Sequence, residues 1–186
     1  THFTAYDEVA KKFGKMLGID PWLLNAYHTN VNGVDFHERA GEDELATAVE
    51  ATLKKITKKY KEYGIKDDPF VIVKADAGTY GMGIMTVRSP DDVRDLNRKQ
   101  RNKMAVIKEG LEVQDLLIQE GVPTIELWDG HTTEPVVYMI DRYVVGGFYR
   151  ANSEKGHDEN LNSSGMRFEP LSFISERVHD PEDLNT

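Results

Sequence analysis

Apolar residues recur at helical spacing in two stretches of the first third of the chain. The first stretch predicts a helix over roughly Ala5 to Leu17, opened by a capping box of Thr4 and Asp7. The second runs from Glu42 to Tyr63 with a period of 3.6 residues, and the glycine that follows it is typical of a helix C terminus. Between the two helices, the Asn/Gly-rich stretch from Asn30 to Gly33 is predicted to be a loop.

Beyond residue 66 the pattern changes to short β-branched runs, which are typical of strands. The first run ends at Lys74, and a glycine-rich loop joins it to the second run, so these two strands are expected to form a hairpin. The sequence Ser89-Pro90-Asp91-Asp92 predicts the start of a further helix. The predicted strands are Phe70–Val73, Ile84–Val87, Leu116–Ile118, Val136–Ile140 and Tyr143–Val145. We therefore predict an α+β fold, with a mostly antiparallel sheet and flanking helices.

The composition narrows the class of protein. The chain has 186 residues, 39% hydrophobic and 30% charged, which suits one large domain or two small lobes. No apolar run is long enough to cross a bilayer, so no membrane partner is expected. The formal charge of -9 argues against a nucleic-acid surface, which needs clustered Lys and Arg. The lack of cysteine excludes disulfides and thiolate sites and, with no signal-peptide pattern, favours a cytoplasmic protein.

The strongest local signal for chemistry is a strand-end lysine followed by three closely spaced glycines. Lys74 precedes Gly78, Gly81 and Gly83, in the order G-x-x-G-x-G. Glycines let backbone N–H groups approach a phosphate, and the lysine adds a positive charge beside them. The glycine order differs from the dinucleotide fingerprint and no Gly-Lys-Ser/Thr follows, so neither the Rossmann nor the P-loop pattern applies. A glycine-rich hairpin turn with a solvated lysine is the alternative interpretation.

This arrangement resembles the ATP-grasp superfamily, in which a strand-end lysine and a glycine-rich loop cover the ATP phosphates. The resemblance implies that Lys74 and the loop bind those phosphates, the loop residues being Gly78, Thr79, Tyr80, Gly81, Met82 and Gly83. Further along, the stretch from Leu116 to Val122 resembles the strand between the two lobes of that superfamily. The residues implied there are Gln119, Glu120 and Val122 for adenine and Glu126 for the ribose hydroxyls. Without the resemblance, this stretch is a buried strand with an exposed turn.

A third stretch combines an arginine with a loop rich in Asn, Asp, Ser and Gly. An arginine can grip a phosphate or carboxylate in a fork, and amide and carboxylate oxygens suit magnesium. The candidates are Arg150 as a catalytic residue, and Asp141, Asn160 and Asn162 as magnesium ligands. An ordinary loop and, for Asp141, a structural ion pair with Arg142 are the alternative interpretations.

Together the three stretches resemble most closely the ATP-grasp-type glutamate-cysteine ligase family of proteobacteria. The resemblance implies that ATP and magnesium activate the γ-carboxylate of glutamate to an acyl phosphate, which the cysteine amine attacks, for glutathione biosynthesis. It also implies that residues 1–66 are an N-terminal helical segment of a larger ligase, and residues 67–186 its ATP-grasp nucleotide-binding region. The implied partners are glutamate, cysteine and ATP, and a homo-oligomer is left open.

Two departures from that pattern keep other functions open. No Glu-x-Asn metal pair occurs in the chain, and a second ATP-contacting lysine cannot be picked out among those of the long helix. Another ATP-grasp ligase, such as a glutathione synthetase, fits the same phosphate-handling residues. A non-catalytic nucleotide-binding module is the alternative of a different class. The basic run from Arg94 to Lys103 is interpreted as a solvated helix face.

Overall fold

The computed structural model of the protein describes residues 2–76, 83–105 and 113–171. The chain divides into two compact units, Thr1–Pro123 and Thr124–Thr186. The helices are α1 (His2–Leu17), α2 (Glu42–Tyr63), α3 (Asp91–Arg94) and α4 (Arg98–Ala105), with a 3-10 turn at Pro21–Leu23. The strands are β1 (His28–Val31), β2 (Val71–Ala75), β3 (Ile84–Val87), β4 (Leu116–Glu120), β5 (Leu127–Trp128), β6 (His131–Ile140), β7 (Tyr143–Asn152) and β8 (Met166–Pro170). The predicted α+β class is confirmed.

The first unit contains a four-stranded antiparallel sheet in the order β1-β4-β2-β3. Strands β2 and β3 form the expected hairpin, in which Lys74 lies opposite Ile84. On its other side β2 pairs with β4, and there Lys74 lies opposite Leu117. The lysine singled out in the sequence is therefore in a central strand, with a neighbouring strand on each side.

Helix α2 covers one face of this sheet. Its apolar residues recur at helical spacing and pack against alternate residues of β2 and β4. The contributing side chains are Leu45, Val49, Leu53, Ile56 and Tyr60 of the helix and Val71, Val73, Ala75, Leu116 and Ile118 of the strands. Burial of each large apolar side chain contributes about 1.5–3 kcal/mol. Since successive strand residues point to opposite faces, Lys74 and Gln119 lie on the face away from α2.

The second unit is built on a meander of four antiparallel strands in the order β5-β6-β7-β8. Its longest element is the β6–β7 hairpin, which turns at Asp141 and Arg142, with Asp141 in a left-handed conformation at a φ of 54°. Large apolar side chains near this turn are exposed, among them Tyr138, Met139, Ile140, Val144 and Val145. Asp129 and Gly130, both with positive φ, form the turn between β5 and β6.

The structure corrects the loop predicted at Asn30–Gly33. Residues His28–Val31 form β1, which pairs with β4 in a register that puts Asn30 opposite Leu117. This strand is mostly polar and lacks the apolar alternation by which strands are predicted. Pairing with β4, and not a local sequence preference, makes these residues a strand. Strands β5 and β8 were missed for the same reason, being short or mixed in composition.

The capping box predicted at Thr4 and Asp7 is also wrong. Helix α1 extends back to His2, so both residues lie inside the helix rather than at its start. Asp7 instead forms an ion pair with Lys11 one turn later, at 2.5 Å between the carboxylate and the ammonium. The remaining boundaries agree with the predictions to within a few residues, except that β6 and β7 are longer than expected.

The compact units divide at Pro123 and not at residue 66. In the first sheet, β1 comes from residues before residue 66, and the other three strands come from residues after it. The predicted segments 1–66 and 67–186 concern the organisation of a larger ligase and stay a prediction. Within the described ranges, no helix combines the length and the apolar content needed to span a bilayer.

Candidate functional site

Lys74 and Gln119 form the centre of a candidate site in the first unit. They lie on the neighbouring strands β2 and β4, on the sheet face away from α2. The Lys74 ammonium donates a hydrogen bond of 2.8 Å to Oε1 of Gln119. The lysine side chain is therefore held against the sheet rather than extended into solvent.

The first turn of α1 contacts the same sheet face. The centre of the Phe3 ring lies 4.9 Å from Nζ of Lys74, which is a cation–π distance. The same ring lies 5.6 Å from the ring of His28, which is opposite Gln119 in the β1–β4 pairing. Sequence analysis missed both aromatic residues, because a contact between an N-terminal helix and a distant sheet leaves no local pattern.

The Lys74 ammonium is half-buried. Burial lowers the pKa of Lys74 below its usual value of 10.5, and the Asp76 carboxylate opposes this shift. An ammonium that has lost part of its hydration is less stable than a solvated one unless an acceptor or an anion replaces the lost water. Of its three N–H donors, one has an acceptor within the described residues. This environment favours the approach of an anionic group.

The glycine-rich loop is described only at its end. Gly78, Thr79, Tyr80, Gly81 and Met82 lie outside the described residues, so their contact with phosphates stays a prediction. Gly83 precedes β3 with a φ of 60°, a left-handed conformation that glycine adopts without strain. Its neighbour Ile84 is paired with Lys74. The loop thus connects two strand ends next to the lysine, as the sequence predicted.

Glu120 ends β4 with a buried side chain that points away from Lys74. Its carboxylate accepts hydrogen bonds from Nε1 of Trp22, at 2.9 and 3.1 Å, and from the backbone N–H of Tyr27, at 2.9 Å. These donors are neutral, so burial outweighs them and raises the pKa of Glu120. The side chain anchors the segment around Trp22, so the predicted contact with adenine concerns the backbone of this segment.

Part of that backbone is already used by the fold. The N–H of Glu120 donates to the carbonyl of Tyr27 at 2.8 Å, and the N–H of Gly121 donates to the carbonyl of Phe70 at 2.9 Å. The next N–H, of the exposed Val122, has no acceptor within the described ranges. The adenine contact stays a prediction, and of these three N–H groups only that of Val122 is not used by the described fold.

In the second unit, the candidate catalytic residue Arg150 lies near the C-terminal end of β7. It is paired with Glu134 of β6, and its Nη1 donates to Oε1 of Glu134 at 2.8 Å. Nε of Arg150 is buried and has no hydrogen-bond partner among the residues that the structure describes. The guanidinium has five N–H donors, so those not bonded to Glu134 retain capacity for an oxyanion.

The loop after β7 is held in place by Asn152, which is fully buried. Its side-chain amide donates to the carbonyl of Leu161, to Oγ of Ser163 and to the carbonyl of Ser164, at 3.2–3.4 Å. Its Oδ1 accepts from the N–H of Glu154 at 3.0 Å. Sequence analysis gave Asn152 no role, because a buried asparagine at a strand end cannot be told from a loop asparagine by composition.

The three magnesium candidates do not form one cluster. Asn160 and Asn162 are half-buried in the loop fixed by Asn152, and Oδ1 of Asn160 accepts the N–H of Asn162 at 3.0 Å. Asp141 lies at the opposite end of β7, a strand of 10 residues. An extended strand of that length spans about 30 Å, whereas magnesium ligands lie about 2 Å from the ion. Asp141 and the two asparagines therefore cannot bind the same ion.

Two further observations concern the remaining candidates. Glu126, the ribose candidate, is exposed, and its backbone carbonyl accepts the N–H of Thr133 at 3.0 Å. In the part of the chain that the structure describes, no group of three or more His, Cys, Asp or Glu side chains is arranged to hold a metal. The described residues thus favour an anion at Lys74 but supply no complete set of metal ligands.

Comparison with known proteins identifies the family. The family model described as glutamate-cysteine ligase matches residues 1–185. A similar solved structure is that of a protein from Methylobacillus flagellatus KT, provisionally named as a gamma-glutamylcysteine synthetase. It is 62% identical in sequence, with a TM-score of 0.80 over 93% of this chain. No curated protein matches.

The chain belongs to the glutamate-cysteine ligase family. It spans 41% of the length of the solved chain from Methylobacillus flagellatus. The family assignment agrees with the resemblance to glutamate-cysteine ligases, and the α+β architecture with antiparallel sheets agrees with the predicted fold class. The ATP-grasp part of the resemblance stays a prediction.

Proposed function

We propose that the chain is the nucleotide-binding part of an ATP-dependent ligase that joins the γ-carboxylate of glutamate to the amine of cysteine. The observation that carries this proposal is Lys74: a half-buried ammonium on a central strand, next to a glycine-rich loop, with donors left for an anion. The match to the glutamate-cysteine ligase family supplies the two amino-acid substrates. The proposal places the chain in the ATP-grasp superfamily, with the two compact units as its lobes.

ATP, when bound, supplies a phosphoryl group that turns the glutamate γ-carboxylate into an acyl phosphate with a good leaving group. Within this chain, Lys74 would bind phosphate oxygens, and the Val122 N–H would bind the adenine edge. Arg150 would bind an oxyanion through N–H groups that Glu134 does not use, and the bond from Nη1 to Glu134 holds the side chain in position. Fixed donors of this kind stabilise developing negative charge without a cost of reorganisation at the moment of reaction.

Magnesium is proposed as the ion that accompanies the ATP phosphates. Among the described residues, Asn160 and Asn162 are the candidates that lie together, and Asp141 is not part of the same set. Amide oxygens alone make a weak magnesium site, and magnesium in phosphoryl-transfer enzymes is bound through few protein ligands together with substrate phosphates. The asparagine loop therefore fits a supporting role and not that of a complete metal centre.

Two other functions are alternatives to this proposal. A different carboxylate-amine ligase, such as a glutathione synthetase, would use the same phosphate-binding residues but other amino acids. A non-catalytic nucleotide-binding module would bind ATP without turnover, and the missing Glu-x-Asn pair favours it. The family match favours the glutamate-cysteine ligase over both.

The test of the nucleotide site is calorimetric titration of the intact protein with MgATP and, as a control for base specificity, with MgGTP. We expect selective binding of the adenine nucleotide that is weakened at least about tenfold in Lys74→Ala, the equivalent of one charge-assisted hydrogen bond. Lys66→Ala is the matched control, because Lys66 is an exposed lysine of the same unit. Equal affinities for wild type, Lys74→Ala and Lys66→Ala would remove Lys74 from the site.

A further inference from the structure

A cationic cavity lies on the first unit, formed by residues outside the candidate nucleotide site. It has a volume of about 500 Å³ and is lined by Phe36, His37, Arg98, Arg101 and Asn102. Small-molecule sites in proteins have volumes of about 300–1,000 Å³. The cavity is therefore large enough for a small organic ligand.

One wall of the cavity is a single face of α4. Arg98, Arg101 and Asn102 follow the spacing i, i+3, i+4, which brings their side chains together on the helix surface. The start of the helix is fixed by a reciprocal pair, in which Oδ1 of Asn97 accepts the N–H of Gln100 at 3.0 Å and Oε1 of Gln100 accepts the N–H of Asn97 at 2.8 Å. The arginines thus project from a helix whose first turn is well defined.

The opposite wall is the segment before α2. Phe36 is buried in the core of the unit, which fixes the position of the adjacent His37. The carboxylate of Asp35, in the same segment, accepts hydrogen bonds from the backbone N–H groups of His37 and Glu38 at 2.8 and 3.0 Å. Both walls are therefore formed before any ligand binds.

Among the described residues, neither arginine of the cavity forms an ion pair with an acidic side chain. Within the described ranges, Arg98 has no hydrogen bond or ion pair, and Arg101 donates one N–H to the carbonyl of Leu96 at 2.5 Å. Other arginines of the unit are neutralised: Arg39 pairs with Glu42 at 2.9 Å and Arg94 pairs with Asp43 at 3.3 Å. In a chain of net charge -9, two neighbouring arginines without an ion-pair partner create a local positive potential on this face of α4.

We propose that this cavity binds a small organic molecule through a phosphate or carboxylate group. The two guanidinium forks of Arg98 and Arg101 match the oxygens of such a group, and the side chains of His37 and Asn102 add N–H donors. Phe36 provides an apolar base for the rest of the ligand. Under this proposal, Arg98 and Arg101 of the basic run bind a ligand. Lys99 and Lys103 keep the earlier interpretation as part of a solvated helix face.

The test is calorimetric titration of the intact protein, without magnesium, with inorganic phosphate and separately with citrate. The phosphate arm probes a phosphorylated ligand, and the citrate arm probes a polycarboxylate. We expect saturable binding of one of them in the millimolar range, weakened at least about tenfold in Arg98→Glu. Arg98 is exposed, so the substitution leaves the core intact. His37→Ala is expected to weaken binding to a smaller extent.

Two controls make the result decisive. Lys99→Glu makes the same change of charge on the next residue of α4, which does not line the cavity, and is expected to leave the affinity unchanged. The titrations are also repeated in a Lys74→Ala background, so that anion bound at the proposed nucleotide site does not contribute to the signal. Equal weakening by Arg98→Glu and Lys99→Glu, or no saturable binding of either anion in that background, would each overturn the proposal.

Discussion

The Lys74 ammonium on β2 donates a hydrogen bond of 2.8 Å to the Gln119 side chain on β4, so two central strands are joined by side chains as well as by backbone. The ammonium is set in place before a ligand arrives, although burial makes its charged form less favourable. A group that carries such a cost without a full set of partners is typical of a functional site. We therefore propose that ligand binding, rather than stability of the fold, accounts for a lysine at this position.

Lys74→Met is expected to leave the free energy of unfolding unchanged or slightly higher at neutral pH. The thioether side chain fills similar space and removes the cost of the half-buried charge. Since Lys74 has a lower pKa in the folded than in the unfolded chain, its unfavourable contribution is fully present below the folded pKa and is relieved as pH rises towards 10.5. The free energy of unfolding of the wild type should therefore gain a contribution as pH rises towards 10.5, and Lys74→Met should lack this gain.

Chemical denaturation of wild type and Lys74→Met at pH 7 and across the alkaline range measures this effect. Lys66→Met is the matched control, since Lys66 is exposed. A loss of more than about 2 kcal/mol in Lys74→Met, the size of effect expected for a structural residue, would show that the lysine stabilises the fold.

Gly121→Ala is expected to destabilise the first unit by about 1–3 kcal/mol, the usual cost of overpacking. A Cβ at Gly121 would lie 2.0 Å from Cε2 of Phe70, and the Gly121 N–H is bonded to the Phe70 backbone, so neither group can move away freely. Gly146→Ala is the control, because a Cβ there meets nothing within 4 Å. Equal melting temperatures for both variants would contradict the packing at Phe70.

Trp22 should report the titration of Glu120. The indole N–H of Trp22 is bonded to both carboxylate oxygens, and burial raises the pKa of Glu120 above 4.5. The folded chain holds this proton to higher pH than the unfolded chain. The stabilising contribution of the protonated form is complete below pH 4.5 and is lost as pH rises through the folded pKa.

The measurement is the fluorescence of Trp22 against pH in a Trp128→Phe background, which removes the second tryptophan. We expect a transition with a midpoint above 4.5 that is absent in Glu120→Gln. A midpoint at or below 4.5, or a transition that survives in Glu120→Gln, would contradict the buried carboxylate.

Asn152→Ala is expected to release the loop that carries Asn160 and Asn162. The substitution removes one side chain that bonds three groups of this loop and leaves those groups without their partner, at a cost of about 1–3 kcal/mol. Hydrogen exchange followed by mass spectrometry should show faster exchange for residues 160–165. Ser153→Ala, at the exposed neighbouring position, should leave exchange unchanged. Unchanged protection in Asn152→Ala would mean that Asn152 does not hold the loop.

Local patterns in the sequence were sufficient to predict the helix and strands around Lys74. The 3.6-residue period predicts α2, and the β-branched runs on either side of the glycine loop predict the hairpin of β2 and β3. The same runs place Lys74 beside the loop. These features are local, so neighbouring residues are enough to predict them.

The remaining features depend on partners that are distant in the sequence. Strand β1 is polar, and its pairing with β4 joins residues about ninety positions apart. The contact of Phe3 with Lys74 and the hydrogen bonds of Trp22 to Glu120 depend on packing of the N-terminal segment against the sheet. The separation of Asp141 from Asn160 follows from the full length of β7, which the predicted strand Tyr143–Val145 underestimated.

The most direct test of the proposed ligase is product formation by the intact protein. Incubation with MgATP, glutamate and cysteine should release ADP only when both amino acids are present, and mass spectrometry should detect γ-glutamylcysteine. Lys74→Ala should abolish this product while Lys66→Ala retains it. ADP release with no dependence on glutamate and cysteine, or nucleotide binding without any turnover, would contradict the glutamate-cysteine ligase assignment.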